Sequence, residues 1–164
     1  MIIAANKCDD KDAKENINRL KEKYPNSIII PCSADSELAL REAAKSGLIN
    51  YIPGESDFEI VKDLNEKQKA ALKSIKENVL DVYGNTGIQN ILDKSIFDLL
   101  DYIGIFPAGS KLTDSEGRII PDCFLLSNGS TALDFAYYLH TDIGDGFIKA
   151  IDARTKKTLG KDYK

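Results

Sequence analysis

At 164 residues the chain has room for one medium domain or two small ones. With 43% hydrophobic and 29% charged residues it can bury a core, which excludes a chain disordered by composition. A net charge of −4 argues against sequence-independent nucleic-acid binding by the whole surface, although residues 149–164 gather six basic side chains against two acidic ones.

Residues 2–5, within the apolar run Met1-Ile2-Ile3-Ala4-Ala5, predict a short buried strand. Asp9 or Asp10 can cap the helix after it, where Ala13, Ile17, Leu20 and Tyr24 recur on one face. Pro25-Asn26 ends that helix, and Ser27-Ile28-Ile29-Ile30 predicts a second strand running into Pro31-Cys32-Ser33-Ala34-Asp35. A second helix follows from about Ser36 to Lys45, with Gly47 as its stop signal. Strand, helix, strand, helix with short loops is an α/β signature with a parallel crossover. It places both loops, after the first and second strands, at the carboxyl edge of one sheet, where ligands sit in open α/β sheets.

Residues 50–57 read as a turn-rich connector. Asn65 to Tyr83 reads as a helix with Leu72, Ile75, Val79 and Val82 on one stripe, broken at Gly84-Asn85. Thr86 can cap another helix carrying Ile88, Ile91, Leu92, Ile96 and Leu99, and both helices read as scaffold. From Asp101 the period becomes strand-like, with runs at 102–107 and 123–126 on either side of the turn 113–117. Thr131 then opens a helix in a capping box with Asp134, and Phe147 to Ile151 reads as a last strand.

The motif that carries chemistry is Asn6-Lys7-Cys8-Asp9, an Asn-Lys-x-Asp at the carboxyl end of the first strand. P-loop GTPases use this arrangement to recognise guanine. A carboxylate at Asp9 can accept two parallel hydrogen bonds, from guanine's ring N–H and from its exocyclic amine. Adenine offers no such donor pair. The plainer reading makes Asp9 or Asp10 only a helix cap. Against it stands Ser33-Ala34 after the next strand, the position of the Ser-Ala dipeptide of the fifth GTPase motif. There the Ala34 N–H would donate to guanine O6 while Ser33 supports the loop. Asn6 would tie its loop to its neighbours, and the aliphatic stem of Lys7 would cover the base. Cys8 fills the variable position, where oxidation or alkylation would touch binding.

A phosphate cradle of the form Gly-x4-Gly-Lys-Ser/Thr does not occur. The near-miss from Gly104 to Lys111 exchanges its last two residues, and a turn stands where a helix N-terminus should face phosphate. No Asp-x-x-Gly precedes the base motif to hold magnesium, so the chain by itself is expected not to hydrolyse nucleotide. Cys8, Cys32 and Cys123 have no CxxC spacing and His140 is the only histidine, which argues against zinc and for free thiols in a reducing cytoplasm. His140 itself reads as a helix-end residue. No apolar run has the length of a membrane span.

These residues resemble the archaeal branch of the YchF, or Obg-related, GTPases. The resemblance is carried by Ile2 to Asp9, by Pro31 to Arg41, and by Pro121-Asp122-Cys123-Phe124-Leu125-Leu126. It continues through Gly129-Ser130-Thr131-Ala132-Leu133-Asp134-Phe135-Ala136 and His140-Thr141-Asp142-Ile143-Gly144, which are similar to a TGS domain, a ubiquitin-like β-grasp module. It implies an α/β fold with the carboxyl-terminal half of a P-loop GTPase domain at 1–60, a helical segment at 61–100 and a TGS domain at 101–164 lacking its last strand and frayed at its end. It also implies a fragment of a translation-linked, ribosome-associated nucleotide hydrolase, with magnesium needed only in the full-length parent. Bacterial and eukaryotic relatives tend to depart from Asn-Lys-x-Asp and prefer ATP, whereas Lys7 and Asp9 are intact here, implying GTP. The interval from Asp9 to Ser33 is too short for the coiled-coil insertion of bacterial relatives. The candidate sites are Asn6, Lys7, Asp9, Ser33 and Ala34 for the base; the basic excess around Lys149, Arg154, Lys156 and Lys157 is either a contact to a ribosome or RNA or a solvated edge. The rival expectations are a non-catalytic TGS binding module and an ATPase parent.

Overall fold

Two β-branched runs near the amino terminus set the first layer. In a computed structural model, which describes residues 1–107, 113, 116–118 and 122–164, β1 (Ile2–Ala5) and β2 (Ile28–Pro31) pair in parallel. The register runs from Ile2 opposite Ile28 to Ala5 opposite Pro31. The near-miss phosphate loop at Gly109, Ser110 and Lys111 and the turn at Asp114-Ser115 lie outside the described residues. The chain divides into two units, Met1–Ser95 and Ile96–Lys164.

In the first unit α1 (Ala13–Lys23) buries Ala13 and Ile17 against Cys8 and Val79. Asp12 occupies its cap position without a side-chain bond, and the Asp10 carboxylate instead accepts the Asp12 N–H at 3.1 Å. Neither Asp9 nor Asp10 caps the helix as expected. The helix starts later because Asp10 closes its own local turn. The second helix, α2 (Ala34–Lys45), begins two residues earlier than its sequence signal, because Ser33 accepts the Ser36 N–H and caps it. The connector holds two short strands not foreseen from its turn residues, β3 (Ile49–Asn50) and β4 (Glu59–Ile60), paired antiparallel.

The capping box at Asn65 and Gln68 launches α3 (Glu66–Ile75), which continues through a π-helical stretch, Lys76–Leu80, into a last turn, α4 (Asp81–Tyr83). The Asp81 N–H reaches back to the Lys76 carbonyl, one residue further than an α-helix allows. That extra residue turns the apolar stripe. Leu72, Ile75 and Leu80 join Leu40, Ile49 and Leu64 in one core, while Val79 and Tyr83 face the other, with Cys8 and Ile17. Val82, expected on the stripe, is 56% exposed. Next comes α5 (Ile88–Asp93), followed by π turns over Lys94–Leu99. The cap position is held by Gly87, not Thr86 as expected, and Leu92 and Leu99 of the expected stripe are exposed.

In the second unit β5 (Tyr102–Ile105) pairs antiparallel with β6 (Phe124–Ser127). The capping box at Thr131 and Asp134 opens α6 (Ala132–Leu139), and Phe124 meets the rings of Phe135 and Tyr138 edge-on, each at 5.9 Å. His140 then caps α7 (Thr141–Asp145) by accepting the Asp142 N–H at 3.1 Å, a helix-end role. The expected strand over 147–151 shrinks to β7 (Ala150–Ile151), paired with β8 (Thr158–Leu159). The final residues, expected to fray, are tied down. Ala132 and Leu133, at the start of α6, donate their N–H groups to the carbonyls of Tyr163 and Lys161.

The π turn makes a stability prediction. Leu80→Ala should cost about 2–5 kcal/mol in urea unfolding, while Val82→Ala should stay within about 0.5 kcal/mol. An uninterrupted α-helix would give the opposite order.

Candidate base-recognition site

The carboxyl ends of β1 and β2 continue as two loops laced together by backbone bonds. The Cys32 N–H donates to the Ala5 carbonyl at 3.0 Å, and the Cys8 N–H donates to the Cys32 carbonyl at 3.0 Å. Between them the Asn6 side chain reaches across, its Oδ1 accepting the Ala34 N–H at 3.1 Å. The structure therefore brings the first loop (Asn6, Lys7, Asp9) beside the second (Ser33, Ala34). Lys7 takes a left-handed backbone, with φ of 64°, which turns the chain sharply between Asn6 and Cys8.

The site has two faces. Asn6, Lys7, Asp9 and Ala34 are exposed, whereas Cys8, Cys32, Ser33, Glu37, Thr86 and Gly87 are buried beneath them. Among the described residues none hydrogen-bonds or ion-pairs the Asp9 carboxylate. An acceptor pair facing solvent at a sheet edge suits a ligand with two parallel donors. Ala34 holds the first position of α2, where a backbone N–H has no partner within the helix. Here Asn6 Oδ1 takes that N–H, so the donor expected to meet guanine O6 is engaged by Asn6.

The buried face is organised around the Glu37 carboxylate. Its Oε2 accepts the Thr86 hydroxyl at 2.6 Å and the Tyr51 hydroxyl at 2.8 Å, and its Oε1 accepts Arg41 Nε at 2.6 Å. Burial works to raise the Glu37 pKa, but the bonds from Thr86, Arg41 and Tyr51 outweigh it and hold the carboxyl below its usual value. Tyr51 is pushed up to about 12, first by burial and then by its bond to that carboxylate. Burial also raises both thiols, Cys8 to about 11. Oxidation or alkylation of Cys8, the expected route to an effect on binding, is disfavoured in the folded protein, because a buried thiol with so high a pKa carries almost no thiolate at neutral pH.

Sequence reasoning missed Glu37, Thr86, Tyr83 and Gly87. The Ser33 N–H donates to the Thr86 carbonyl at 2.9 Å, and the Tyr83 hydroxyl donates to the Cys8 carbonyl at 3.1 Å. Gly87 has φ of 81°, and a Cβ there would collide with the Pro31 carbonyl oxygen and with Cys32. The signal was the pair of glycines in Gly84-Asn85-Thr86-Gly87, which marks a tight approach as well as a helix break. In the second unit Lys149 precedes β7, and Arg154, Lys156 and Lys157 crowd the β7–β8 hairpin loop, all four exposed. That loop is closed by Asp152, which accepts the Arg154 N–H and the Thr155 hydroxyl. No group of three or more His, Cys, Asp or Glu side chains among the described residues is placed to hold a metal.

The comparison with known families agrees with this geometry. Residues 4–109 match the family described as Obg-like GTPase YGR210-like, G4 motif-containing domain, and residues 104–164 match the TGS domain. The chain belongs to the YGR210-like Obg-like GTPase family. It is 47% identical over 167 residues to an uncharacterized GTP-binding protein of Methanocaldococcus jannaschii, covering 99% of this chain and 42% of that protein. A ribosome-binding ATPase YchF of Buchnera aphidicola is 27% identical over 151 residues, 91% of this chain and 32% of the relative. The crystal structure of a GTP-binding protein from Pyrococcus horikoshii OT3 superposes with a TM-score of 0.69 at 43% identity, over 99% of this chain and 42% of that one. The chain thus spans less than half the length of these relatives. Its fold joins part of an Obg-like GTPase α/β domain, the part that holds the G4 motif, to a ubiquitin-like TGS domain.

Burial of two of the three thiols sets a labelling prediction. At pH 8 a maleimide should modify the exposed Cys123 quickly and leave Cys8 and Cys32 unmodified until denaturant is added, as read by mass spectrometry. Rapid labelling of Cys8 in the native protein would contradict the buried face.

Proposed function

We propose that this chain supplies the base-recognition half of a GTP-binding site and, through its TGS domain, a contact to the ribosome or RNA. The observation that carries the first part is the free, exposed Asp9 carboxylate on a loop that Asn6 ties to Ala34, at the edge of two laced loops. Guanine would place its ring N–H and exocyclic amine on Asp9 and its O6 on the Ala34 N–H, replacing Asn6 Oδ1 there. The positive end of the α2 dipole favours an acceptor at that point. Adenine would present an amine to the same N–H and lacks the donor pair for Asp9, so both contacts reject it. Lys7 would lay its stem along the base, and Ser33 would hold the loop from within α2's cap.

In this reading the full-length protein is a cytoplasmic, translation-linked GTPase, and its phosphate and magnesium chemistry is not assigned to any residue described above. The ribosome contact is supported by the exposed cluster of Lys149, Arg154, Lys156 and Lys157 and by the name of the Buchnera relative. Three cations on one hairpin loop and a fourth just before it suit a phosphate backbone, in spite of the net negative chain.

Fluorescent GTP and ATP titrated against the full-length protein should show tighter GTP binding. Asp9→Asn should weaken GTP by about 10- to 100-fold, the loss of a charge-assisted contact, and favour xanthosine triphosphate, whose C2 carbonyl accepts from the new amide. Equal affinity for GTP and ATP in the wild type would remove the guanine assignment. Separately, Lys156→Gln with Lys157→Gln should reduce cosedimentation with ribosomes, most clearly at low salt. Unchanged cosedimentation would take the hairpin out of the interaction.

A further inference from the structure

The segment from Tyr83 to Gly87 touches both base loops from beneath, and each contact lands on a different loop. Tyr83 donates its hydroxyl to the Cys8 carbonyl, in the middle of Asn6-Lys7-Cys8-Asp9. Thr86 takes the Ser33 N–H on its carbonyl and gives its hydroxyl to Glu37, so it grips the start of α2 at two points. Thr86 is fully buried and Glu37 is 4% exposed, so neither contact competes with water. Gly87 lies so close to Pro31 and Cys32 that no side chain fits between the segment and the loop. A buried carboxylate with three donors is a costly way to fill space that an apolar side chain would fill more cheaply. What it adds is a fixed direction for the first turn of α2, which carries the Ala34 N–H.

We propose that residues 83–87 are positioning residues for base selectivity, with Tyr83 setting the Asp9 loop and the Thr86–Glu37 pair setting the Ser33–Ala34 loop. The proposal rests on the guanine reading above and extends it, because it assigns separate control of the two edges of the base. Asp9 reads the ring N–H and the 2-amine, while Ala34 reads O6. Loosening one brace should therefore blur one edge and leave the other sharp. A segment that only held the fold together would change both edges alike, or neither.

Two nucleotide analogues separate the edges. Inosine diphosphate lacks the 2-amine, and 6-thioguanosine diphosphate keeps the ring N–H and the amine but replaces O6 by a weaker acceptor. Affinities of GDP and both analogues would be measured by calorimetry at pH 7 on the full-length protein. Wild type should prefer GDP over each. Thr86→Val should cut the GDP to 6-thio-GDP preference by about three-fold, bringing it towards one, since the difference between a strong and a weaker acceptor is only part of one hydrogen bond, and change the GDP to IDP preference less than two-fold. Thr86→Ser, which returns the hydroxyl, should restore the first ratio. Tyr83→Phe should do the reverse, lowering the GDP to IDP preference alone. If Thr86→Val does not fold, the half-exposed Tyr83→Phe decides, since selective loss of inosine discrimination supports the brace. Unchanged ratios, or both ratios falling together, overturn the proposal while leaving the guanine reading in place. A wild type blind to both analogues instead overturns the guanine reading, and this proposal with it.

Discussion

The first unit depends on one buried carboxylate. Glu37 stands four residues into α2, yet its oxygens are claimed from three directions, by Arg41 on its own helix, by Tyr51 in the connector and by Thr86 beyond α4. Each donor meets a charge that cannot recover its water, so each bond is worth more here than on the surface. Removing any one would strand part of a buried charge, which is why the three segments hold together. All described buried side-chain polar atoms have a partner, so this junction is closed. The base loop above it inherits that rigidity through Ser33, which is both the cap of α2 and the donor to Thr86.

A site with a fixed underside and a free upper face suits recognition of a flat, rigid ligand. The buried residues fix where the backbone N–H of Ala34 points, while the Asp9 carboxylate faces water. Asn6 links the two loops. Its amide oxygen accepts the orphan N–H at the start of α2, which holds that donor's direction from outside the helix. In the proposed guanine site, a donor held in place beforehand would reduce the ordering that binding requires.

The upper face was legible in the sequence and the lower face was not. The positions of Asn6, Lys7, Asp9, Ser33 and Ala34 follow from two apolar runs that each end just before them, and β1 and β2 are adjacent parallel strands as those runs predict. Thr86 and Glu37 belong to segments whose local patterns point elsewhere. Thr86 looks like a helix cap because threonine before an apolar run is one, and only the left-handed Gly87 moves the cap onward and frees the hydroxyl. Glu37 looks like an ordinary first-turn acid on a helix. Its burial comes from Tyr51, fourteen residues on, and Thr86, forty-nine residues on, and no local window contains either. Short strands such as β3 and β4 escape for a related reason, since two residues carry no period.

The π turn between Lys76 and Leu80 shows how a small departure from helix geometry reaches the site. In an unbroken α-helix, Leu72, Ile75, Val79 and Val82 would share one stripe, and the residues after them would follow its phase. The added residue splits that stripe, sending Leu80 to the core under α2 and Val79 with Tyr83 to the core under β1. Tyr83 meets the Cys8 carbonyl from that second core. Gly84, in the left-handed region, then ends the helix at once, so that Thr86 arrives beneath Ser33 three residues after Tyr83 arrives beneath Cys8. Two supports three residues apart on one chain thus reach two different loops at one sheet edge.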